Sequence, residues 1–233
     1  MANPILECRS LTKNYGVVQA LSNINLTLPE GKIIGLLGPN GSGKTTFIKM
    51  IAGLLTPTFG ELRVDGKKIG LETKKIVSYL PERTYFNESM TVSETLDYFE
   101  DFYSDFSRAK ALDMLARLNV DTNRKLRTLS KGNKEKVQLV LVMSREARLY
   151  LLDEPIGGVD PATRDYILNT IVSNYSPNST VLISTHLIAD VEKVLDEFIF
   201  INMGNLVMYS TADEVRASRG MSVDELFREV FRC

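Results

Sequence analysis

Gly38, Pro39, Asn40, Gly41, Ser42, Gly43, Lys44 and Thr45 spell G-x-x-x-x-G-K-[ST] without a substitution, and no other stretch constrains the chain as strongly. The setting fits the pattern. Residues 32–37 (KIIGLL) form a short apolar run of the kind a buried parallel strand has, and residues 45–52 read as a helix closed by Gly53. In a strand–loop–helix unit the glycines let the backbone curl, so that successive N–H groups point inward at a helix start. Such a loop binds the phosphates of a nucleoside triphosphate. Lys44 would reach the β- and γ-phosphates, and the Thr45 hydroxyl would ligate Mg²⁺.

The rest of the chain supplies a frame for that loop. Residues 5–11 and 23–28 alternate apolar and polar side chains and predict half-buried strands, with Tyr15-Gly16 in a turn between them. Asp65-Gly66 marks a hairpin after residues 61–64, and residues 76–80 read as a buried strand stopped by Pro81. From Glu82 onward the texture turns helical as far as Ser144. Thr91-Val92-Ser93-Glu94 is a capping box, Ser107 caps a helix with Leu112, Leu115 and Leu118 on one face, and Ser130 caps a third. The rings Tyr98, Phe99, Phe102, Tyr103 and Phe106 have acidic neighbours, which favours packing of this insert over stacking on bases. Strands at 150–153, 180–184, 198–201 and 205–210 then alternate with helices at 161 onward and 187–195, and short amphipathic helices at 213–218 and 223–231 follow. This order predicts a mainly parallel sheet with helices on both faces, an antiparallel layer first and a helical insert in the middle.

Composition removes several classes of function. A net charge of -1 offers no nucleic-acid footprint, and the longest apolar runs are too short to span a bilayer. No signal peptide is expected. Cys8 and Cys233, far apart and in no metal-ligand spacing, predict reduced thiols.

Asp153 and Glu154 end an apolar run, Tyr150-Leu151-Leu152, and ligands in such sheets gather at the carboxyl ends of strands. Asp153 would hold Mg²⁺ through its water shell, and Glu154 would polarise an attacking water. His186, the one histidine, follows the strand at 180–184 and so falls at the same sheet edge. A guanine reader is missing, since Asn133-Lys134-Glu135-Lys136 lacks the aspartate of Asn-Lys-x-Asp, and no basic lid of a small-molecule kinase is apparent.

In this order the motifs resemble an ATP-binding-cassette ATPase, the nucleotide-binding subunit of an ABC transporter. Tyr15 falls where that family stacks a ring on adenine, residues 38–45 with Thr46 are its phosphate loop, and Asp153-Glu154 is its second nucleotide motif. Gly157-Gly158-Val159-Asp160 takes the place of the loop that crosses a dimer interface, His186 that of the switch histidine, and Leu129-Ser130-Lys131-Gly132-Asn133 that of the L-S-G-G-Q signature. Two departures stand out. Glu82 replaces a glutamine that touches Mg²⁺, and Lys131 and Asn133 replace signature residues; both are similar to the ATPases of bacterial ABC-2-type exporters. Ser130 and Gly132, expected to meet the γ-phosphate, remain.

The resemblance implies an α/β P-loop NTPase over residues 1–233, with an N-terminal antiparallel β subdomain, a helical subdomain at 83–145 and a C-terminal helical extension at 211–233. It implies ATP and Mg²⁺ as ligands, Glu154, His186 and Lys44 as the catalytic set, and Thr45, Asp153 and Glu82 around the metal. Tyr15, Ser130, Gly132 and Asp160 would join the phosphate loop in binding nucleotide. A second cassette, identical or different, and a polytopic permease are the implied partners, at the cytoplasmic face of the membrane and without nucleic acid. Tyr85 and Phe86 would lie on the docking surface unless they belong to the core. A soluble ABC-type ATPase and a nucleotide-gated interaction module are the competing readings.

Overall fold

The computed structural model describes residues 4–176 and 178–231, so that Cys233 lies outside the described residues. The chain opens with β1 (Leu6–Tyr15), β2 (Val18–Leu28) and β3 (Ile33–Leu37), followed by α1 (Lys44–Ile51), β4 (Phe59–Val64), β5 (Lys67–Lys68), α2 (Leu71–Ile76) and β6 (Val77–Leu80). The insert holds α3 (Val92–Phe102), α4 (Arg108–Arg117) and α5 (Lys131–Met143). The chain then continues with β7 (Leu149–Asp153), α6 (Pro161–Asn174), β8 (Thr180–Thr185), α7 (Ile188–Val191), β9 (Glu197–Asn202), β10 (Asn205–Thr211), α8 (Ala212–Arg219) and α9 (Val223–Phe231).

Two sheets result. The smaller is antiparallel, in the order β2-β1-β4-β5, and the larger runs β10-β9-β3-β8-β7-β6, parallel throughout except for the β9–β10 hairpin. Every residue of β3, β7 and β8 is buried, which is why these strands are apolar runs and not alternating ones. Period 2 divides their side chains between two cores. Ile34, Leu36, Leu149 and Leu151 pack with α1 under the antiparallel sheet, whereas Leu37, Tyr150, Leu152 and Ile183 pack against the insert and the later helices. The first face is therefore covered by the expected antiparallel layer, with α1 between the two sheets, and the second by helices.

Local expectations were met where the chemistry is local. Thr91 N donates to Glu94 Oε2 at 2.6 Å and Glu94 N to Thr91 Oγ1 at 3.1 Å, completing the capping box of α3. Ser107, Ser130 and Asp160 cap α4, α5 and α6. Departures have tertiary causes. β1 and β2 extend further toward one another than their alternation suggests, because register shifts between Cys8 and Leu11 and between Leu11 and Lys13 break the period. The stripe of α4 is Ala111, Met114 and Leu115, with Leu112 left 41% exposed. α2 was not expected, since Thr73 is its one buried residue and no apolar face announces it. Of the aromatic group, Phe99 and Phe106 enter the core, but Tyr98 and Phe102 stand 51% and 68% exposed.

The parallel order places the site. In register, Leu37 lies opposite Thr185, Asp153 opposite Ser184, and Leu80 opposite Leu152. The segments after these strands, which carry the phosphate loop, Glu154, His186 and Glu82, consequently leave the sheet at one edge.

Candidate active site

The loop from Gly38 to Gly43 joins β3 to the first turn of α1 and has no room for side chains at its tight points. A Cβ on Gly38 would lie 2.3 Å from the Ile201 carbonyl oxygen, and one on Gly43, at φ +107°, would lie 2.6 Å from that of Ala20. The free N–H groups at the start of α1 face an open cavity of about 1130 Å³, lined by residues 40–46 together with Glu82, Glu154 and His186. Lys44 is buried within it. Its ammonium donates to the carbonyls of Gly38 (2.8 Å) and Pro39 (3.2 Å), and burial pulls its pKa down against the opposing charge of Glu154.

The two carboxylates after β7 are held differently. Asp153 is buried, and its Oδ1 accepts from Ser184 Oγ at 2.6 Å and from Thr45 Oγ1 at 3.1 Å. Its Oδ2 is buried with no partner. Burial raises the Asp153 pKa, the two hydroxyls oppose that rise, and the charges of Glu154 and Glu82 add to it. Glu154 adopts φ +51°, the left-handed region that few residues other than glycine occupy. In that conformation its Oε1 lies 3.6 Å from Lys44 Nζ, and its Oε2 lies 3.1 Å from His186 Nδ1 and 3.2 Å from the donating Thr185 Oγ1. His186 thus meets Glu154 through Nδ1 and itself lines the cavity wall.

These donors suit a hard cation. No group of three His, Cys, Asp or Glu side chains able to hold a metal occurs among the described residues. One hydroxyl, Thr45, and one carboxylate with a free buried oxygen, Asp153, match instead a cation whose other ligands are phosphate oxygens and waters. Ser42 Oγ is likewise buried and unpartnered inside the loop, as a group awaiting a phosphate would be.

The structure brings Lys44, Thr45, Thr46, Glu82, Glu154 and His186 to one cavity, with Asp153 behind it. It does not bring Tyr15, Ser130, Gly132 or Asp160 into that wall. Tyr15 ends β1 opposite Val18, with the Lys13 ammonium 5.2 Å from its ring centroid, and Val18, Gln19 and Ala20 line the cavity instead. Ser130 Oγ accepts from Asn133 N, Asp160 Oδ1 accepts from Thr163 N, and the space around Gly132 is open. Sequence reading missed Ser184 and Thr185, which orient both carboxylates; their signal was a Ser-Thr pair ending an apolar strand just before the histidine. It also missed Gly204, whose N–H donates to Ser42 O at 2.9 Å and seats the β9–β10 turn on the loop.

The ABC transporter family matches residues 21–157, a stretch that runs from β2 past the phosphate loop to the residues after Glu154. This chain belongs to that family. ABC transporter ATP-binding protein YtrB of Bacillus subtilis (strain 168) is 31% identical to this family member over 215 residues, which cover 91% of this chain and 74% of that protein. Daunorubicin resistance ATP-binding protein DrrA3 of Streptomyces coeruleorubidus is 29% identical over 238 residues, covering 98% of this chain and 75% of that protein. A solved ATP-binding subunit of an ABC transporter superposes with a TM-score of 0.86 at 30% identity, covering 97% of this chain and 99% of its own. The fold is thus that of an ABC ATPase, and the chain is an ATP-binding subunit of the ABC transporter family and an ATPase.

Proposed function

We propose that this subunit hydrolyses MgATP as the motor of an exporter, working as a dimer beneath a separate membrane permease. The observation that carries the chemistry is the placement of Glu154 between Lys44 and His186 at the mouth of the phosphate loop. Lys44 and the loop N–H groups bind the phosphates. Glu154 takes a proton from the attacking water, and His186 holds the Glu154 carboxylate in place and faces the γ-phosphate. Thr45, Asp153 and Glu82 would hold Mg²⁺, which when bound offsets charge on the β- and γ-phosphate oxygens.

Each site takes parts from two copies. Ser130 and Gly132 do not line the cavity of their own chain, which their helix meets through Lys131, Lys134 and Glu135 instead; they stand at an exposed helix start whose free N–H groups suit an anion. We assign them to the γ-phosphate of a partner cassette, with Asp160 at the interface and Tyr15 against adenine. ATP then joins the two copies and hydrolysis releases them. The helical subdomain at 83–145 is assigned to the permease side. Tyr85, Tyr98 and Phe102 are exposed there and linked through ring contacts with Phe86 and Phe99, and half-buried Phe86 packs against the insert core. No helix among the described residues is long and apolar enough to cross a membrane, so the reading places the subunit at the cytoplasmic face through its partner. Pro81-Glu82 and Lys131, together with the likeness to a drug-resistance ATPase, support export.

The test is a tagged pull-down from detergent-solubilised native membranes. A stoichiometric polytopic partner is expected, and a second, different cassette in the complex would mean a heterodimer. Recovery of soluble partners alone would overturn the transport reading and leave the ATPase.

A further inference from the structure

Another polar atom that is buried without a partner is the hydroxyl of Tyr79, on the strand next to the one that ends in Asp153. Tyr79 lies on β6, opposite Leu151 of β7, and packs in the same core as Leu149, Leu151 and α1. Asp153, two residues beyond Leu151, projects from the same face. Thr45 reaches Asp153 from α1 on that face as well. After burial, the groups acting most strongly on the phenol are Asp153 and Glu82, and together they hold its pKa well above the ordinary tyrosine value.

Buried polar atoms are rarely left unpaired, and two orphans on one face beside a cation site point to a shared partner. We propose that Tyr79 is a positioning residue of the cation site, its hydroxyl and Oδ2 of Asp153 holding one water of the cation's shell between them. A cation-bound water directs its lone pair at the metal and donates both protons. Asp153 Oδ2 accepts one and the Tyr79 oxygen the other, which a neutral phenol can do and a phenylalanine cannot. The role rests on the assignment of the cation to Thr45 and Asp153, and it adds a residue that never touches nucleotide.

The experiment is an electron paramagnetic resonance titration of Mn²⁺ into the full chain with ADP, beside nucleotide affinity measured in EDTA. Wild type, Tyr79→Phe and Asp153→Asn are compared. Tyr79→Phe is expected to weaken Mn²⁺ binding about tenfold, as loss of a supporting partner of a metal site does, with metal-free ADP affinity and thermal midpoint unchanged or raised. If Asp153→Asn weakens Mn²⁺ binding and Tyr79→Phe does not, the role of Tyr79 is refuted and the cation assignment stands. If Asp153→Asn has no effect, the cation assignment itself fails. Equal losses of ADP affinity with and without metal in Tyr79→Phe would make the residue merely structural and overturn the proposal.

Discussion

His186 Nδ1 lies 3.1 Å from Oε2 of Glu154, on the carboxylate whose other oxygen faces Lys44. In the proposed mechanism the histidine acts on the reaction through the glutamate, whose positive φ is the local backbone distortion at this carboxylate. Glu154→Gln keeps the shape and removes the base. Turnover should fall by about 10²-fold or more while ATP still binds, measured as phosphate release beside nucleotide affinity. His186→Ala should lower kcat with little change in the KM for ATP, because it removes orientation and leaves phosphate binding intact. A parallel rise in KM would place the histidine in ground-state binding instead.

Asp153 predicts a cost of function that pH can reveal. Its pKa is raised in the folded chain, first by burial, so the folded state holds that proton more tightly than the unfolded one. The stability contribution is fully present below the ordinary carboxylate pKa and is lost as pH rises through the raised folded value. Above the ordinary carboxylate pKa the metal-free chain bears a penalty that grows with pH until the raised folded value is passed. Asp153→Asn should therefore raise the thermal midpoint at neutral pH in EDTA, with the difference from wild type shrinking as the pH is lowered toward the ordinary carboxylate pKa. Melting curves across that range, with and without MgADP, provide the check.

Arg145 ties the insert to the sheet. Its side chain is buried, donates from Nε and Nη2 to the two oxygens of Asp105 at 3.0 Å each, and donates to the carbonyls of Val77 (2.7 Å) and Lys75 (2.8 Å). The guanidinium also lies 4.0 Å from the ring centroid of Tyr103. Replacing it with alanine strands Asp105 and both carbonyls and should cost about 3–5 kcal/mol in denaturant unfolding. Arg145→Lys should not restore the loss, since an ammonium lacks the planar fork.

Thr91 offers a smaller and independent test. Thr91→Ala removes one half of the reciprocal cap of α3 and should destabilise the chain by about 1 kcal/mol.

The residues that could be read in the sequence are those whose role follows from local order. The phosphate loop carries its own geometry, and the parallel strand order alone brings Asp153, Glu154 and His186 to one edge. Caps at Thr91, Ser107, Ser130 and Asp160 depend only on neighbouring residues. What could not be read depends on contacts between distant segments. Ser184 becomes a partner of Asp153 through sheet register, Gly204 meets Ser42 through a hairpin far along the chain, and the outward turn of Leu112, Tyr98 and Phe102 reflects which helix faces the insert presents to the sheet. The bulges of β1 erased the one local signal for its length.

In the proposed mechanism ATP holds two copies together, since Ser130 and Gly132 do not line the cavity of their own chain. Sedimentation velocity on Glu154→Gln, in EDTA, with MgADP and with saturating MgATP, decides between a monomer and a nucleotide-bound pair. Monomers are expected in the first two and a dimer in the third, which Ser130→Phe should abolish. A Glu154→Gln chain that stays monomeric with bound MgATP would rule out the shared site.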